Sequence, residues 1–472
     1  MAASTRVAIL TVASTLWYIA SSSLPALAAE YNGLIEVGDT GKQIVELVRS
    51  ANRDAGFSGA VLAGRNGKVI AAVAVGESGG KPLEVTTLFE IGSCTKPFTA
   101  VAVMKLVEQG KLALDDSIAD HLPGVPENCR AITVRHLLQH TSGIPGTNYQ
   151  GSGTKLAAVL PLFLDGGPRT KPGERHEYWN QGYALLSEVI ARASGKSYTA
   201  YVRDEIFKPC KMQSSCFTGD RLPKGAVASI GVSTTGRNRG ALEHPYGEYG
   251  FQYRGMGGLV TNLVDLWRFD RTLAAEKLLT TESIAEMTRP GPEGYALGWR
   301  VTRLDSGRTV HYHSGSVRGF LASIRRDPED DGCLVVLANS DASAPFDLVQ
   351  SQCEAVMEGR EASVELPKQL DPKLIEELAG VYRDEKGRTM TVSREGGLTR
   401  ALIDWHGPKT HGYLSATDTD QLSFDMMKSA SPLTFERANL IEVERDGGAG
   451  ISALTIVELS LRFERVDEQA AK

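Results

Sequence analysis

The segment Phe89–Leu112, FEIGSCTKPFTAVAVMKLVEQGKL, holds the pattern around which the chain is organised. Its apolar residues fall on most sides of a helix that starts near Ser93 and ends at Gly110, which predicts a buried helix. Ser93 and Lys96 are three residues apart and therefore share one helical face. A lysine that its surroundings keep neutral can take the proton of a neighbouring serine hydroxyl and make it a nucleophile.

The Ser-x-x-Lys spacing alone is a weak signal. The same pattern arises from a helix-capping serine followed by a solvent-exposed lysine. The rest of the chain must therefore decide between a nucleophile and a cap.

Composition narrows the class of protein. The 472 residues are 42% hydrophobic and 23% charged, values typical of a soluble globular protein with more than one domain. The net charge of -6 argues against nucleic acid or an anionic membrane surface as a partner. We expect a small-molecule or peptide substrate instead.

The N-terminus has the pattern of a secretory signal peptide. Arg6 precedes an apolar run, and Ala26-Leu27-Ala28 has the small residues of a cleavage site. We predict a leader over residues 1–28 and a secreted or periplasmic protein without stable membrane insertion after its removal.

Six cysteines are too few for a disulfide-built fold of this length. Two pairs, Cys210 with Cys216 and Cys333 with Cys353, are hypotheses for disulfides in an exported chain. Cys94 is interpreted as a small buried side chain rather than a second nucleophile. No cysteine–histidine cluster indicates zinc, so we expect neither a metal nor another cofactor.

Other stretches add candidate site residues. Asn66-Gly67 predicts a hairpin turn between two apolar strands. Tyr178 and Asn180 stand two residues apart before a helix, where both side chains can point the same way. His136 and His140 are four residues apart, and we favour structural roles for both because the metalloprotease glutamate is absent. Residues 219–257 are glycine-rich without periodicity and predict a long loop.

The C-terminal part changes character. A connector rich in proline and charge, placed at 359–371, separates a first domain (30–358) from a second (372–468). Short alternating segments in the second domain predict an antiparallel β fold.

Five ordered blocks together resemble the serine β-lactamase-like superfamily, particularly the class C branch that includes DD-peptidases, D-aminopeptidases and esterases. The resemblance covers roughly residues 35 to 357, and the tail is similar to a small lipocalin-like barrel. The blocks, quoted in chain order, are FEIGSCTKPFTAVAVMKLVEQGKLALDD, ITVRHLLQHTSGIP, PGERHEYWNQGY, GMGGLVTNLVDLWRF and HSGSVRGF.

The resemblance implies an α+β fold, with an antiparallel sheet flanked by helices, an all-helical subdomain and then a small antiparallel β-barrel-like domain. It implies that Ser93 is the nucleophile, that Lys96 accepts or relays its proton, and that Tyr178 serves as general base and acid. Further implied roles belong to the substrate-binding and oxyanion residues, which are Asn180, His313, Gly315 and Ser316. The resemblance implies that the backbone N–H groups of Ser93 and Ser316 form the oxyanion hole.

Two positions depart from the family pattern. His313 stands where the third motif usually has lysine, and Trp179 stands where a small residue is usual, so we expect Trp179 to narrow or redirect the cleft. The departures favour a D-amino-acid peptidase, amidase or small-ester hydrolase. The alternatives are a true β-lactamase and a non-catalytic peptidoglycan- or peptide-binding protein with this fold.

Overall fold

The computed structural model describes most of the chain. The described residues are 33–146, 155–234, 237–245, 253–360, 362, 370–395, 398–404, 409–416, 422–427, 439–446, 450–457 and 460–466. The predicted leader, residues 1–28, lies outside these ranges, as do residues 361 and 363–369 of the predicted linker.

Helices and short strands alternate along the described part of the chain. The α-helices are α1 Gly38–Ala55, α2 Lys96–Glu108, α3 Ile118–His121, α4 Val134–Leu138, α5 Leu156–Phe163, α6 Asn180–Ser194, α7 Tyr198–Val202, α8 Lys208–Cys210, α9 Leu263–Ala274, α10 Thr281–Met287, α11 Ser343–Met357 and α12 Pro372–Leu378. The strands before α11 are β1 Ile35–Glu36, β2 Gly59–Arg65, β3 Lys68–Val75, β4 Glu77–Ser78, β5 Lys81–Pro82, β6 Phe89–Glu90, β7 Cys216–Phe217, β8 Ile230–Gly231, β9 Arg239–Gly240, β10 Leu259–Thr261, β11 Arg300–Arg303, β12 Thr309–Val317, β13 Phe320–Asp327 and β14 Gly332–Ala338.

Seven strands form the central antiparallel sheet, in the order β1-β3-β2-β14-β13-β12-β11. Strands β2 and β3 form the predicted hairpin, and its turn residues Asn66 and Gly67 have φ of 52° and 68°, as this tight turn requires. Val335 of β14 pairs with Leu62 of β2. The sheet therefore joins the beginning and the end of the first domain.

Successive residues of a strand point to opposite faces of a sheet, and here both faces are covered. Val336 packs with α1 and α11 in one hydrophobic cluster, whereas Val335 packs with α2 and α9 in another. Phe98 and Val101 of α2 are fully buried in the second cluster. Helix α2 is enclosed on most sides, which explains why its apolar residues are not confined to one stripe.

The C-terminal part is an eight-stranded antiparallel barrel with its own hydrophobic cluster. Val381 of the first strand pairs with Val466 of the last, which closes the sheet. The strands are β15 Gly380–Arg383, β16 Thr389–Glu395, β17 Leu398–Asp404, β18 Lys409–Ala416, β19 Leu422–Met427, β20 Asn439–Arg445, β21 Ile451–Ile456 and β22 Leu461–Val466. The predicted α+β architecture with a terminal barrel is confirmed.

The two disulfide hypotheses are wrong, because all six cysteines are free and buried. Cys333 lies in the hydrophobic cluster around α2 and Cys353 in the cluster on the opposite face of the sheet. Cys210 belongs to α8, whereas Cys216 lies in β7 and pairs with Val260. Within the described ranges, no helix is long and apolar enough to span a bilayer.

Candidate active site

Ser93 lies in a one-turn 3-10 helix, Gly92–Thr95, that leads directly into α2. Gly92 has φ of 48°, a left-handed conformation that glycine adopts without a Cβ penalty. Pro97 fits the first turn of α2 because the amide it lacks would have no helical partner there. This turn places Ser93 outside the α-helix and Lys96 at its first position.

The side-chain amine of Lys96 is held between three oxygen atoms. Its Nζ lies 2.9 Å from Ser93 Oγ, 2.8 Å from Asn180 Oδ1 and 3.2 Å from the carbonyl oxygen of Met256. Burial lowers the pKa of Lys96 to about 7, so a large fraction of the amine is neutral near that pH. Carbonyl oxygens only accept hydrogen bonds, so the neutral amine donates to Asn180 and Met256 and presents its lone pair to Ser93.

The hydroxyl of Tyr178 approaches Ser93 from another side, with 3.1 Å between Tyr178 Oη and Ser93 Oγ. Burial raises the pKa of Tyr178 to about 12, so its phenol is protonated and donates to Ser93. Ser93 in turn donates to Lys96. The three residues form a directed chain of hydrogen bonds that ends on the lysine lone pair.

Trp179 does not narrow the cleft, and that expectation was wrong. Its backbone is extended, with φ of -131° and ψ of 102°, so its side chain points away from those of Tyr178 and Asn180. The indole is 2% exposed and packs beside Gly182, where an added Cβ would lie 3.0 Å from the ring. Trp179 is therefore part of the core beneath the site.

His140 lies at the site, although the sequence indicated only a structural role. Its Nδ1 accepts a hydrogen bond from the Trp179 amide at 3.0 Å, and its ring centroid is 4.2 Å from that of Tyr178. Burial lowers the pKa of His140 well below its usual range, so the ring is neutral. His136 does have the predicted structural role, because its Nδ1 accepts from the Thr133 amide at the start of α4.

His313 of β12 is a neutral acceptor. Its Nδ1 lies 2.6 Å from the Ser314 carbonyl oxygen, so this nitrogen carries the proton, and Nε2 accepts from the hydroxyl of Tyr295 at 2.9 Å. Burial, with a smaller effect from the charge of Lys96, lowers the pKa of His313 to about 3. The position that holds a cationic lysine in the related motif is uncharged here.

The next residues of β12 touch the turn that carries Ser93. A Cβ on Gly315 would lie 2.0 Å from the Ile91 carbonyl oxygen, and one on Gly92 would lie 3.1 Å from the Ser316 amide nitrogen. Only glycines permit this approach. The two amides predicted to bind an oxyanion, those of Ser93 and Ser316, therefore belong to backbone segments in direct contact.

Cys94, as predicted, is a buried side chain, and its Sγ donates to the His313 carbonyl oxygen at 3.2 Å. Burial raises the pKa of this thiol above its usual range, so it is not a thiolate nucleophile. Within the described part of the chain, no group of three or more histidine, cysteine, aspartate or glutamate side chains is arranged to hold a metal ion.

Sequence reasoning missed several residues of the site. Tyr295 comes from the segment between α10 and β11, and the amine of Lys96 also contacts the carbonyl of Met256. Arg300 of β11 lies beside Tyr295, with its Cζ 5.4 Å from the centroid of that ring, and its positive charge makes a small contribution that lowers the pKa values of His313 and Tyr178. The segment GYALGW, which carries Tyr295, has no chemical motif that would have singled it out.

Comparison with known proteins places this geometry among similar folds. Residues 44–352 match the Beta-lactamase family. The chain is 26% identical over 423 residues to Penicillin-binding protein 4* of Bacillus subtilis (strain 168), a match that covers 82% of this chain and 90% of that protein.

Solved structures give two further matches. The octameric penicillin-binding protein homologue from Pyrococcus abyssi superposes with a TM-score of 0.63 at 24% identity, covering 90% of this chain and all of that chain. The D-stereospecific amidohydrolase from Streptomyces sp. gives a TM-score of 0.54 at 26% identity, covering 67% of this chain and 99% of that chain.

Proposed function

This chain belongs to the Beta-lactamase family, and from that premise we propose that it is a serine hydrolase that cleaves D-amino-acid peptides or amides through an acyl-enzyme on Ser93. The observation that carries the proposal is the 2.9 Å contact between the buried amine of Lys96 and the hydroxyl of Ser93. Similarity to a D-stereospecific amidohydrolase supports the substrate class.

Acylation starts from the hydrogen-bond chain at Ser93. Neutral Lys96 takes the proton of Ser93 while Oγ attacks the carbonyl carbon of the substrate. The carbonyl π electrons move to its oxygen, and the amides of Ser93 and Ser316 are the donors we assign to that oxyanion. The tetrahedral intermediate then carries the negative charge beside these two amides.

Loss of the amine requires a proton donor, and Tyr178 has the protonated hydroxyl for this step. The carbon–nitrogen bond breaks as the amine takes the Tyr178 proton, and the lysine ammonium then reprotonates the tyrosinate. Deacylation repeats the sequence with water: Lys96 takes the water proton, the hydroxide attacks the ester carbon, and Ser93 leaves with the proton from Lys96.

Charges around the cleft bear on the choice of substrate. His313 is neutral, while the positive charge of Arg300 lies 5.4 Å from the centroid of the Tyr295 ring. A fixed cation attracts a substrate carboxylate. We propose that peptides with a free C-terminal carboxylate are cleaved in preference to the corresponding amides, with small esters and β-lactams as weaker substrates.

The proposal is tested by a substrate panel assayed with the wild-type protein, Ser93→Ala and Lys96→Ala. The panel contains D-alanyl dipeptides and their L isomers, the C-terminal amide, p-nitrophenyl acetate and nitrocefin. We expect turnover of the D isomers that both variants abolish, with a mass adduct of a fluorophosphonate on Ser93. Absence of both adduct and turnover, with equal peptide binding by wild type and Ser93→Ala, would favour a binding protein.

We also propose that the protein is exported, from the charged, apolar and small-residue pattern of residues 1–28. N-terminal sequencing of the protein from its producing cell tests this. A mature chain that begins at residue 29 is expected, and a chain that retains Met1 would contradict export.

A further inference from the structure

We propose that the buried ion pair between Glu90 and Arg239 positions the two amides that bind the oxyanion, and this inference rests on the proposed function. Glu90 comes three residues before Ser93, in β6. Arg239 comes from the glycine-rich segment 219–257, which also contributes the Met256 carbonyl that contacts Lys96. The pair is enclosed, since the side chain of Arg239 is 3% exposed and that of Glu90 is 0% exposed.

The guanidinium of Arg239 contacts both backbone segments of the oxyanion site. Its Nη2 donates to Glu90 Oε2 on the segment of Ser93. The same Nη2 and Nε donate to the carbonyl oxygen of Arg318, at 3.1 and 3.3 Å. Arg318 comes two residues after Ser316, in the turn between β12 and β13. The side chain of Arg239 therefore links Glu90, near the Ser93 amide, to Arg318, near the Ser316 amide.

Further contacts fix the orientation of this guanidinium. Its third nitrogen, Nη1, donates to the carbonyl oxygens of Gly240, at 3.4 Å, and Glu243. Its carbon atom Cζ lies 5.2 Å from the ring centroid of Phe320. Arginine suits this place because its planar fork of donors holds several acceptors in one geometry, which the single ammonium of lysine does not.

Glu90 is likewise fixed from two sides. Tyr253 donates its hydroxyl to Oε1 while Arg239 occupies Oε2. Residue 90 also pairs with Val260 in the small sheet of β6, β10 and β7. A shift of the carboxylate would therefore move the backbone immediately before the Ser93 turn. Because preorganised donors stabilise an oxyanion only at the correct position, such a shift lowers kcat more than it changes KM.

The chain offers a matched control on the other face of the sheet. Arg325 and Glu354 form an ion pair with side chains that are 7% and 3% exposed. Arg325 follows Leu321 at an even spacing along β13 and so faces the cluster of α1 and α11, away from Ser93. Loss of this pair should destabilise the fold in a similar way without touching either amide.

The test compares an ester substrate with its thionoester in Arg239→Met, Arg239→Lys, Arg325→Met and wild type. A thionoester places sulfur, a weak hydrogen-bond acceptor, where the oxyanion forms. The ratio of kcat/KM for the ester to kcat/KM for the thionoester therefore reports how well the two amides donate to the oxyanion. We expect Arg239→Met to lower kcat for the ester about tenfold to a hundredfold and to reduce this ratio about tenfold, with KM within about twofold.

The other variants separate positioning from stability. Arg239→Lys keeps the charge beside Glu90 and should recover the melting temperature but not the ratio, whereas Arg325→Met should lower the melting temperature and keep the wild-type ratio. If Arg239→Met does not fold, Glu90→Gln is measured in its place, with the same fall in ratio expected. A wild-type ratio in the folded Arg239 or Glu90 variant overturns the inference, while a wild-type protein inactive on every ester and peptide refutes the proposed function instead.

Discussion

The imidazole of His140 lies against the phenol ring of Tyr178, with ring centroids 4.2 Å apart and planes tilted by 39°. The same imidazole accepts the amide hydrogen of Trp179 through Nδ1. It therefore supports both the position of the Tyr178 ring and the extended backbone from which Tyr178 reaches Ser93 and Asn180 reaches Lys96. His140 itself has φ of 57°, a conformation that asparagine tolerates better than most residues.

We expect His140→Asn to retain much more activity than His140→Gln. The asparagine Oδ1 can replace Nδ1 as the acceptor for Trp179 and suits the positive φ, whereas the longer glutamine places its acceptor elsewhere. His140→Asn loses only the ring contact with Tyr178 and should lower kcat about tenfold. His140→Gln loses both the ring contact and the acceptor for the Trp179 amide and should lower kcat about a hundredfold, since small displacements of reacting groups have effects of this size. Steady-state kinetics on a D-alanyl dipeptide measure this.

Equal activities of the two variants, both folded by circular dichroism, would show that the acceptor for Trp179 does not matter. The Leu137 side chain next to α6 offers a control, because Leu137→Met repacks the core nearby without changing any hydrogen bond. It should leave kcat within about twofold, as volume-conserving core changes are well tolerated.

Lys96 sets the expected pH dependence of acylation. Burial lowers its pKa to about 7, and the neutral amine is the reactive form, so kcat/KM should rise about tenfold per pH unit below 7 and level off above it. Tyr178 must stay protonated, and its pKa of about 12 puts the alkaline decline beyond the usual assay range. Measurements from pH 5 to 10 would contradict this assignment if activity were highest at pH 5.

The same lysine makes fold stability depend on pH. A lysine in the unfolded chain has a pKa of 10.5 and the folded one about 7, so between these values the unfolded state binds more protons and the stability of the wild type rises with pH. Lys96→Met removes the buried amine. Its gain in free energy of unfolding over wild type should be largest at pH 6 and smaller at pH 9.

Urea denaturation at the two pH values measures this difference, with Lys111→Met at an exposed position as the control. The control should show the pH dependence of the wild type. A gain for Lys96→Met that is the same at pH 6 and pH 9 would mean that the lysine titrates alike in both states.

The spacing of residues in the sequence predicted the site residues that are close together along the chain. The three-residue spacing of Ser93 and Lys96 predicted a shared face, which a 3-10 turn provides instead of the α-helix, and the alternation of Tyr178 and Asn180 follows from the strand period. The same alternation sends Trp179 into the core, and the contrary expectation came from considering residue size without direction. Contacts such as Glu90 with Arg239, 149 residues apart, leave no local trace, because segments that meet only in the folded state bring them together.

His313 gives the last prediction. Its Nε2 accepts a hydrogen bond from the Tyr295 hydroxyl, and its pKa, lowered to about 3 by burial, keeps the ring uncharged near neutral pH. Glutamine is neutral and carries an acceptor at the same distance along the side chain, so His313→Gln should keep kcat within about threefold. His313→Leu removes the Nε2 acceptor of the buried Tyr295 hydroxyl, and it should lower the free energy of unfolding by about 1–3 kcal/mol. Urea denaturation and D-dipeptide kinetics on both variants measure these effects. A folded His313→Gln with kcat lowered a hundredfold would instead indicate that His313 carries a proton in the reaction. In that case the wild-type pH profile would show an acidic limb that the His313→Gln profile lacks.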